Sequence, residues 1–285
     1  MQPIPFAGVE PCGKPGAAII PVPLEATVSY GEGTAQGPLA IILASQNMEL
    51  YDELLDCEPT ALGIATRQPL SARGSVKEVL MRLEEAVAKE LSEGIMPVVL
   101  GGEHTVSLGA LQAVVKAAGE IDVVCVDAHL DLRESYEGRR LSHACVMRRV
   151  VEMGLKVVHV GVRSASSAEV KALGELGLNP LWAHEIHRDS TWVDKLLERL
   201  GPRVYLSLDV DGLDTSIMPA TGTPEPGGLT WAQVSELLIA LGRHKQVVAM
   251  DMVEFAPIPG QHAWDFTAAR LLQRAIGAAL KERSR

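Results

Sequence analysis

The sequence predicts an α/β protein built on a mostly parallel sheet with helices on both faces. Three observations predict it. Short apolar runs alternate with amphipathic stretches along the whole chain. The runs are apolar at consecutive positions, as in strands buried on both faces. Acidic residues and histidines gather directly after the runs, where open α/β sheets place their ligands.

The elements follow in order. Residues 18–23 (AIIPVP) read as the first strand and 38–48 as a helix. Residues 75–93 carry Val76, Val79, Leu80, Leu83, Val87 and Leu91 at helical spacing, and Ser75 suits the N-cap. Residues 96–102 (MPVVLGG) form a buried strand running into two glycines. A helix at 106–117, a strand at 121–126 (IDVVCV), a helix at 142–153 and a strand at 156–162 (KVVHVGV) come next. Helices at 167–176 and 192–200 precede a strand at 204–209 (VYLSLD). A helix at 230–241, with Gly242 at its end, leads to a strand at 246–254 (QVVAMDMVE) and a closing helix at 267–282. No repeat, low-complexity segment or Ser/Gly-rich linker interrupts this pattern, so one continuous domain over 1–285 is expected.

Bulk properties narrow the function. A chain of 285 residues with 47% hydrophobic and 22% charged residues can bury a large core. Aromatics are only 4%, so that core rests on aliphatic side chains and Met. The net charge of −10 argues against nucleic acid, whose phosphates would be repelled, and weakly favours a small cationic substrate. The start, MQPIPFAGVEPCG, lacks a basic segment followed by an apolar run, so no signal peptide is expected. No apolar stretch is long enough to span a membrane. Cys12, Cys57, Cys125 and Cys145 show no CxxC spacing, which fits free thiols in a reducing cytoplasm.

The chemistry concentrates at three strand ends. In an extended segment alternate residues point to one side, so D-A-H-L-D throws Asp127, His129 and Asp131 toward one point. Asp209 and Asp211 repeat the arrangement, and His104 follows the Gly101-Gly102 turn, where absent side chains let the backbone bend. Four clustered carboxylates repel each other and are costly to desolvate, so the cluster requires cations. Oxygen-rich ligation with two imidazoles and no thiolate in the motifs suits manganese. A charge of −4 balances two divalent ions, which at roughly 3.5–4 Å apart would bridge a water or hydroxide and make it nucleophilic.

With those residues in view, the chain resembles the ureohydrolase family of arginase, agmatinase and relatives. The matching segments are GGEHTVSLGAL (101–111), DAHLDLR (127–133), SLDVDGLDTSIMPATGTPEPGGLT (207–230) and MDMVEFAP (250–257). VSYGEGTAQGPLAI (28–41) is similar to the family's N-terminal loop. Two departures stand out: Ala220 where the family often has Gly, and Glu103 in GGEH where GGDH is commoner; Glu103 is not expected to be a ligand. The resemblance implies a three-layer α/β/α, arginase-like fold and two Mn ions per subunit. His104, Asp127, Asp131 and Asp209 would hold one ion. Asp127, His129, Asp209 and Asp211 would hold the other, with Asp127 and Asp209 bridging.

It also implies that Glu254 accepts hydrogen bonds from the substrate guanidinium, a pairing that suits a planar cation and two carboxylate oxygens. His143 corresponds to a histidine that protonates the leaving amine, and Asp131 or its surroundings would receive a proton. Asp251, three residues before Glu254, would face the opposite way in a regular strand, as a supporting or structural residue. His159, His184, His187, His244 and His262 lack partners at ligand spacing and are set aside, as are Met218, Met250 and Met252. The loop LRESYEGRRLSHA (132–144) lacks the polar stretch with which arginases hold an amino acid and is closer to that of agmatinases. Glu134 and Glu137 could face a primary ammonium there, while Arg139 and Arg140 cut the other way.

The expected reaction is hydrolysis of agmatine to putrescine and urea, a step of polyamine biosynthesis. Aminopropylagmatine, guanidinobutyrate, guanidinopropionate, arginine and formiminoglutamate are the alternative substrates. A deacetylase-like enzyme with one zinc, or an inactive interaction subunit, are rival classes. The family implies a homo-oligomer, a trimer or hexamer.

Overall fold

The computed structural model describes residues 3–284. Eight strands form one sheet: β1 (Ala17–Val22), β2 (Ile64–Thr66), β3 (Met96–Gly101), β4 (Asp122–Val126), β5 (Lys156–Val162), β6 (Leu181–Trp182), β7 (Arg203–Asp209) and β8 (Gln246–Val253). Their order is β2-β1-β3-β8-β7-β4-β5-β6, and every neighbouring pair is parallel. The strand ends carrying the motifs belong to β3, β8, β7 and β4, which are adjacent at the centre of the sheet. This adjacency gathers residues separated by up to 150 positions in sequence.

Among the described residues, nine α-helices lie between or after the strands: α1 (Gly37–Ser45), α2 (Val76–Ser92), α3 (Ser107–Ala118), α4 (Val146–Glu152), α5 (Ser167–Leu176), α6 (Ala183–Ile186), α7 (Trp192–Arg199), α8 (Trp231–His244) and α9 (Ala263–Lys281). Alternation along the strands explains the three layers. Val124 and Val126 of β4 pack with α1, α7, α8 and α9. Val123 and Cys125 pack with α2, α3, α4 and α5 on the other face. Ser75 caps α2 as predicted, accepting from the Glu78 N–H while Glu78 accepts from the Ser75 N–H.

Several boundaries differ from those the sequence predicts. The short β2, β6 and α6 carry too few residues to show a period. The predicted helix at 142–153 splits into a 3-10 turn, His143–Cys145, followed by α4. The closing helix begins at Ala263, a turn earlier than its apolar spacing indicates. Gly242 does not end α8, which continues to His244. Its role is close packing: a β-carbon there would lie 2.1 Å from the Ala278 carbonyl oxygen of α9. Among the described residues, no helix is long and apolar enough to cross a membrane.

One buried charge network fastens α9. Arg274 is 1% exposed and donates to Asp52 Oδ2 at 2.9 Å, Ser235 Oγ at 2.8 Å and Glu53 Oε1 at 2.7 Å. Its guanidinium also lies 5.2 Å from the centre of the Trp231 ring. Asp52 is fully buried, so losing the arginine would strand a carboxylate in the core. Arg274→Ala is expected to cost about 3–5 kcal/mol, read from the urea midpoint at constant slope.

Candidate metal centre

The site is built at the carboxyl ends of the four central strands. After β3 the chain passes through Gly102, whose absent side chain matters for close approach: a β-carbon would lie 2.1 Å from the Leu24 carbonyl oxygen. Neither Gly101 nor Gly102 has a positive φ, so room, rather than a bend only glycine can make, is the requirement. His104 N–H donates to Glu254 Oε1 at 2.6 Å, and Glu254 N–H donates to the Gly102 carbonyl at 2.8 Å. The ends of β3 and β8 therefore clasp each other.

The D-A-H-L-D segment converges by a different route from the extended one predicted. It lies beyond β4 as a loop, and Asp131 takes a left-handed backbone with φ of 52°. Glu254 is also left-handed, with φ of 63°. Non-glycine residues held this way are uncommon and concentrate at functional sites. Buried Ala128 and Leu130 anchor the loop from below. Ala128 N–H donates to Asp211 Oδ1 at 2.9 Å, and Asp211 N–H donates to Asp209 Oδ1 at 2.9 Å, so the two acidic turns brace each other.

All six predicted ligands come together. His104 Nδ1 lies 3.0 Å from Asp131 Oδ2, 3.3 Å from Asp127 Oδ2 and 3.4 Å from Asp209 Oδ2. His129 Nδ1 lies 2.9 Å from Asp211 Oδ2 and 3.6 Å from Asp127 Oδ1. Asp127 thus turns one oxygen toward each imidazole. Asp209 gives one oxygen to the His104 side and the other to the Asp211 N–H.

The protonation pattern shows a cluster short of positive charge. Burial and then the charge of Asp127 push Asp131 up to about 7. Burial and the charges of Asp211 and Asp127 raise Asp209 well above the carboxylate range, and burial raises Glu254 to about 8. Burial opposes a charged His129, but its bonds to Asp127 and Asp211 outweigh that and hold it up at about 12. Divalent cations would supply the positive charge that this cluster lacks.

The back of His104 supports the same reading. Its Nε2 lies 2.9 Å from Ser207 Oγ, and Ser207 donates its own proton to Asp251 Oδ1 at 2.8 Å. Tyr205 donates to Asp251 Oδ2 at 2.5 Å. Ser207 can therefore only accept from His104 Nε2–H, which leaves Nδ1 as the ring nitrogen turned toward three carboxylates. Nδ1 is buried and has no hydrogen-bond partner. A hard divalent cation fits this donor set of oxygens and imidazole nitrogens. Asp251 is a supporting residue. Its network was legible as Tyr205, Ser207 and Asp209, polar groups at every second position of an apolar strand.

Other residues hold the surroundings. Arg163 donates to the carbonyls of Asp211, Glu225 and Leu213 and so fixes the turn after β7. Glu103 contacts none of the clustered carboxylates; its carboxylate accepts from Thr27 N–H at 2.7 Å and Thr27 Oγ1 at 2.8 Å. That pins the N-terminal loop, which in turn holds His143: Thr27 Oγ1 is 3.1 Å from Nδ1 and Ser29 Oγ is 2.8 Å from Nε2. His143, Glu254 and the acidic cluster line a cavity of about 430 Å³ whose wall includes Arg133, Tyr136, Ser166 and Glu169. Glu134 and Glu137 do not line it. Glu134 is engaged by Arg140, Arg148 and Arg149, Glu137 faces a neighbouring groove, and Arg139 donates to the Ala26 carbonyl at 2.7 Å.

His159 braces the loop from beneath, donating from Nε2 to the Leu130 carbonyl at 3.0 Å. Burial lowers it to about 4, so it is neutral in the folded protein where the unfolded chain begins to protonate. The unfolded state then binds more protons, and stability falls as pH drops from about 6.5 to 4. His159→Gln is expected to remove about 3 kcal/mol of that pH dependence, measured as the difference between urea unfolding curves of the two proteins in chelator.

Comparison with known proteins agrees with this geometry. A model of the arginase family matches residues 15–277. The N(1)-aminopropylagmatine ureohydrolase of Thermus thermophilus is 40% identical over 260 residues, covering 91% of this chain and 88% of the relative. The agmatinase of Pyrococcus horikoshii is 36% identical, covering 92% of each chain. The solved agmatine ureohydrolase of Thermoplasma volcanium superposes with a TM-score of 0.89 at 31% identity, covering 100% of this chain and 97% of that one. The chain belongs to the arginase family, and it is a ureohydrolase, a hydrolase of guanidino carbon–nitrogen bonds.

Proposed function

We propose that the enzyme hydrolyses the guanidinium group of agmatine to putrescine and urea, with two manganese ions held by His104, Asp127, His129, Asp131, Asp209 and Asp211. The observation that carries this is the pair of imidazoles sharing Asp127, each with further carboxylates at 2.9–3.4 Å. Divalent ions bound there supply an activated water at neutral pH. Glu254 sits at the cavity wall with one oxygen taken by His104 N–H, leaving the other for a guanidinium N–H. Water adds to the guanidinium carbon, and the bond to the alkyl nitrogen breaks. Asp131, at the cavity wall, is placed to receive a proton during that exchange. His143, held by Thr27 and Ser29, delivers a proton to the departing amine.

A decarboxylated substrate suits the wall. Glu169 and Tyr136 line the cavity with Arg133, which stacks 5.3 Å from the Tyr136 ring centre and lies 3.8 Å from Glu169 Oε2. Aminopropylagmatine is the second reading. It is favoured by relatives of that name at 36–40% identity. An assembly of identical subunits in the cytoplasm is part of the same proposal.

Urea release measured with agmatine, aminopropylagmatine and arginine, with and without added Mn, tests the assignment. The two amines should turn over and arginine should not; arginine as the best substrate would sink the proposal. Asp127→Ala should lose both ions by elemental analysis. Asp131→Asn with normal metal and full activity would remove Asp131 from its role. Glu254→Gln should lower kcat/KM about 10- to 100-fold, the worth of one charged hydrogen bond.

A further inference from the structure

We propose that Cys125 is an additional ligand through which the His104 end of the centre captures thiophilic divalent ions such as cadmium or zinc. This rests on the metal reading above. Cys125 stands in β4 two residues before Asp127 and is fully buried. Its Sγ lies 3.9 Å from Asp127 Oδ2. The sulfur, a ring nitrogen of His104 and a carboxylate oxygen of Asp127 all lie within 4.8 Å of one another.

Two independent features meet at this point. His104 Nδ1 is a buried nitrogen without a hydrogen-bond partner, and the Cys125 sulfur is a soft donor that lies within 4.8 Å of a nitrogen of that imidazole. Around one tetrahedral ion with bonds of ~2.3 Å to sulfur and ~2.0 Å to nitrogen, neighbouring ligand atoms stand about 3.5 Å apart. Small side-chain shifts bring the three atoms to that spacing. A hard ion is served by the oxygens and imidazoles and leaves Cys125 as a thiol beside Asp127. A soft ion prefers sulfur. As the metal–sulfur bond forms, the S–H bond breaks and its proton passes to solvent. The same residue therefore makes the centre vulnerable to displacement of its working metal by softer ions.

Cadmium loading of the full chain tests this, followed by equilibrium dialysis and ultraviolet thiolate-to-cadmium absorption. The charge-transfer band should appear in the native protein and in a Cys12→Ser, Cys57→Ser, Cys145→Ser variant. It should vanish in Cys125→Ser, whose cadmium affinity should fall about tenfold or more, the scale of losing a partner of a metal site. Cadmium K-edge absorption of the native protein gives the same answer without any variant: a sulfur neighbour is expected. A manganese-binding protein whose cadmium has only oxygen and nitrogen neighbours, or whose band survives in Cys125→Ser, overturns this inference alone. A protein that binds neither ion overturns it together with the metal reading.

Discussion

The structure is organised around a cluster of buried carboxylates that cannot share one pocket without added positive charge. Asp127, Asp131, Asp209 and Asp211 are each at most 7% exposed, and Glu254 stands beside them in the same cavity wall. Desolvation and mutual repulsion of such a set cost far more than two imidazoles can offset. The fold tolerates this because the backbone around it is over-determined. Asp211 of one acidic turn accepts the Ala128 N–H of the other, Asp209 accepts the Asp211 N–H, and β3 and β8 clasp through Glu254. Two residues are held in left-handed conformations by that surrounding structure.

The same constraint accounts for the residues that touch no ligand. Ser207 and Asp251 fix which nitrogen of His104 is free. Arg163 spends its guanidinium on backbone carbonyls at the turn after β7. Glu103 ties the N-terminal loop to the residue next to His104, and through Thr27 and Ser29 that loop sets the place of His143. The carboxylate–imidazole cluster, His143 and Glu254 thereby belong to one hydrogen-bonded frame, as chemistry dependent on preorganised charge requires.

Much of this was legible in the chain itself. Strands apolar on both faces and helices of period 3.6 announced the layered fold, and Ser75 announced the start of α2. The six predicted ligands stood out because imidazoles and carboxylates at alternate positions after apolar runs have no inexpensive structural use. Gly242 was misjudged because a glycine's sequence context does not reveal whether it permits a bend or a close approach. Glu134 and Glu137 were left open between an ammonium partner and an ordinary solvated loop, because charge in a loop says nothing about which partners fold against it.

The sequence by itself therefore determined the class of fold, the chemical nature of the centre and the family. These depend on local periodicity and on residue type at short spacing. Only the tertiary structure decided that β3, β8, β7 and β4 lie side by side, because strand order is set by long-range packing. It alone decided that Asp127 faces both imidazoles, that Asp251 reaches His104 through Ser207, and that Cys125 lies beside the centre. Each of these is a distance between residues on different strands or turns, fixed by how the sheet and its two helical layers close on one another.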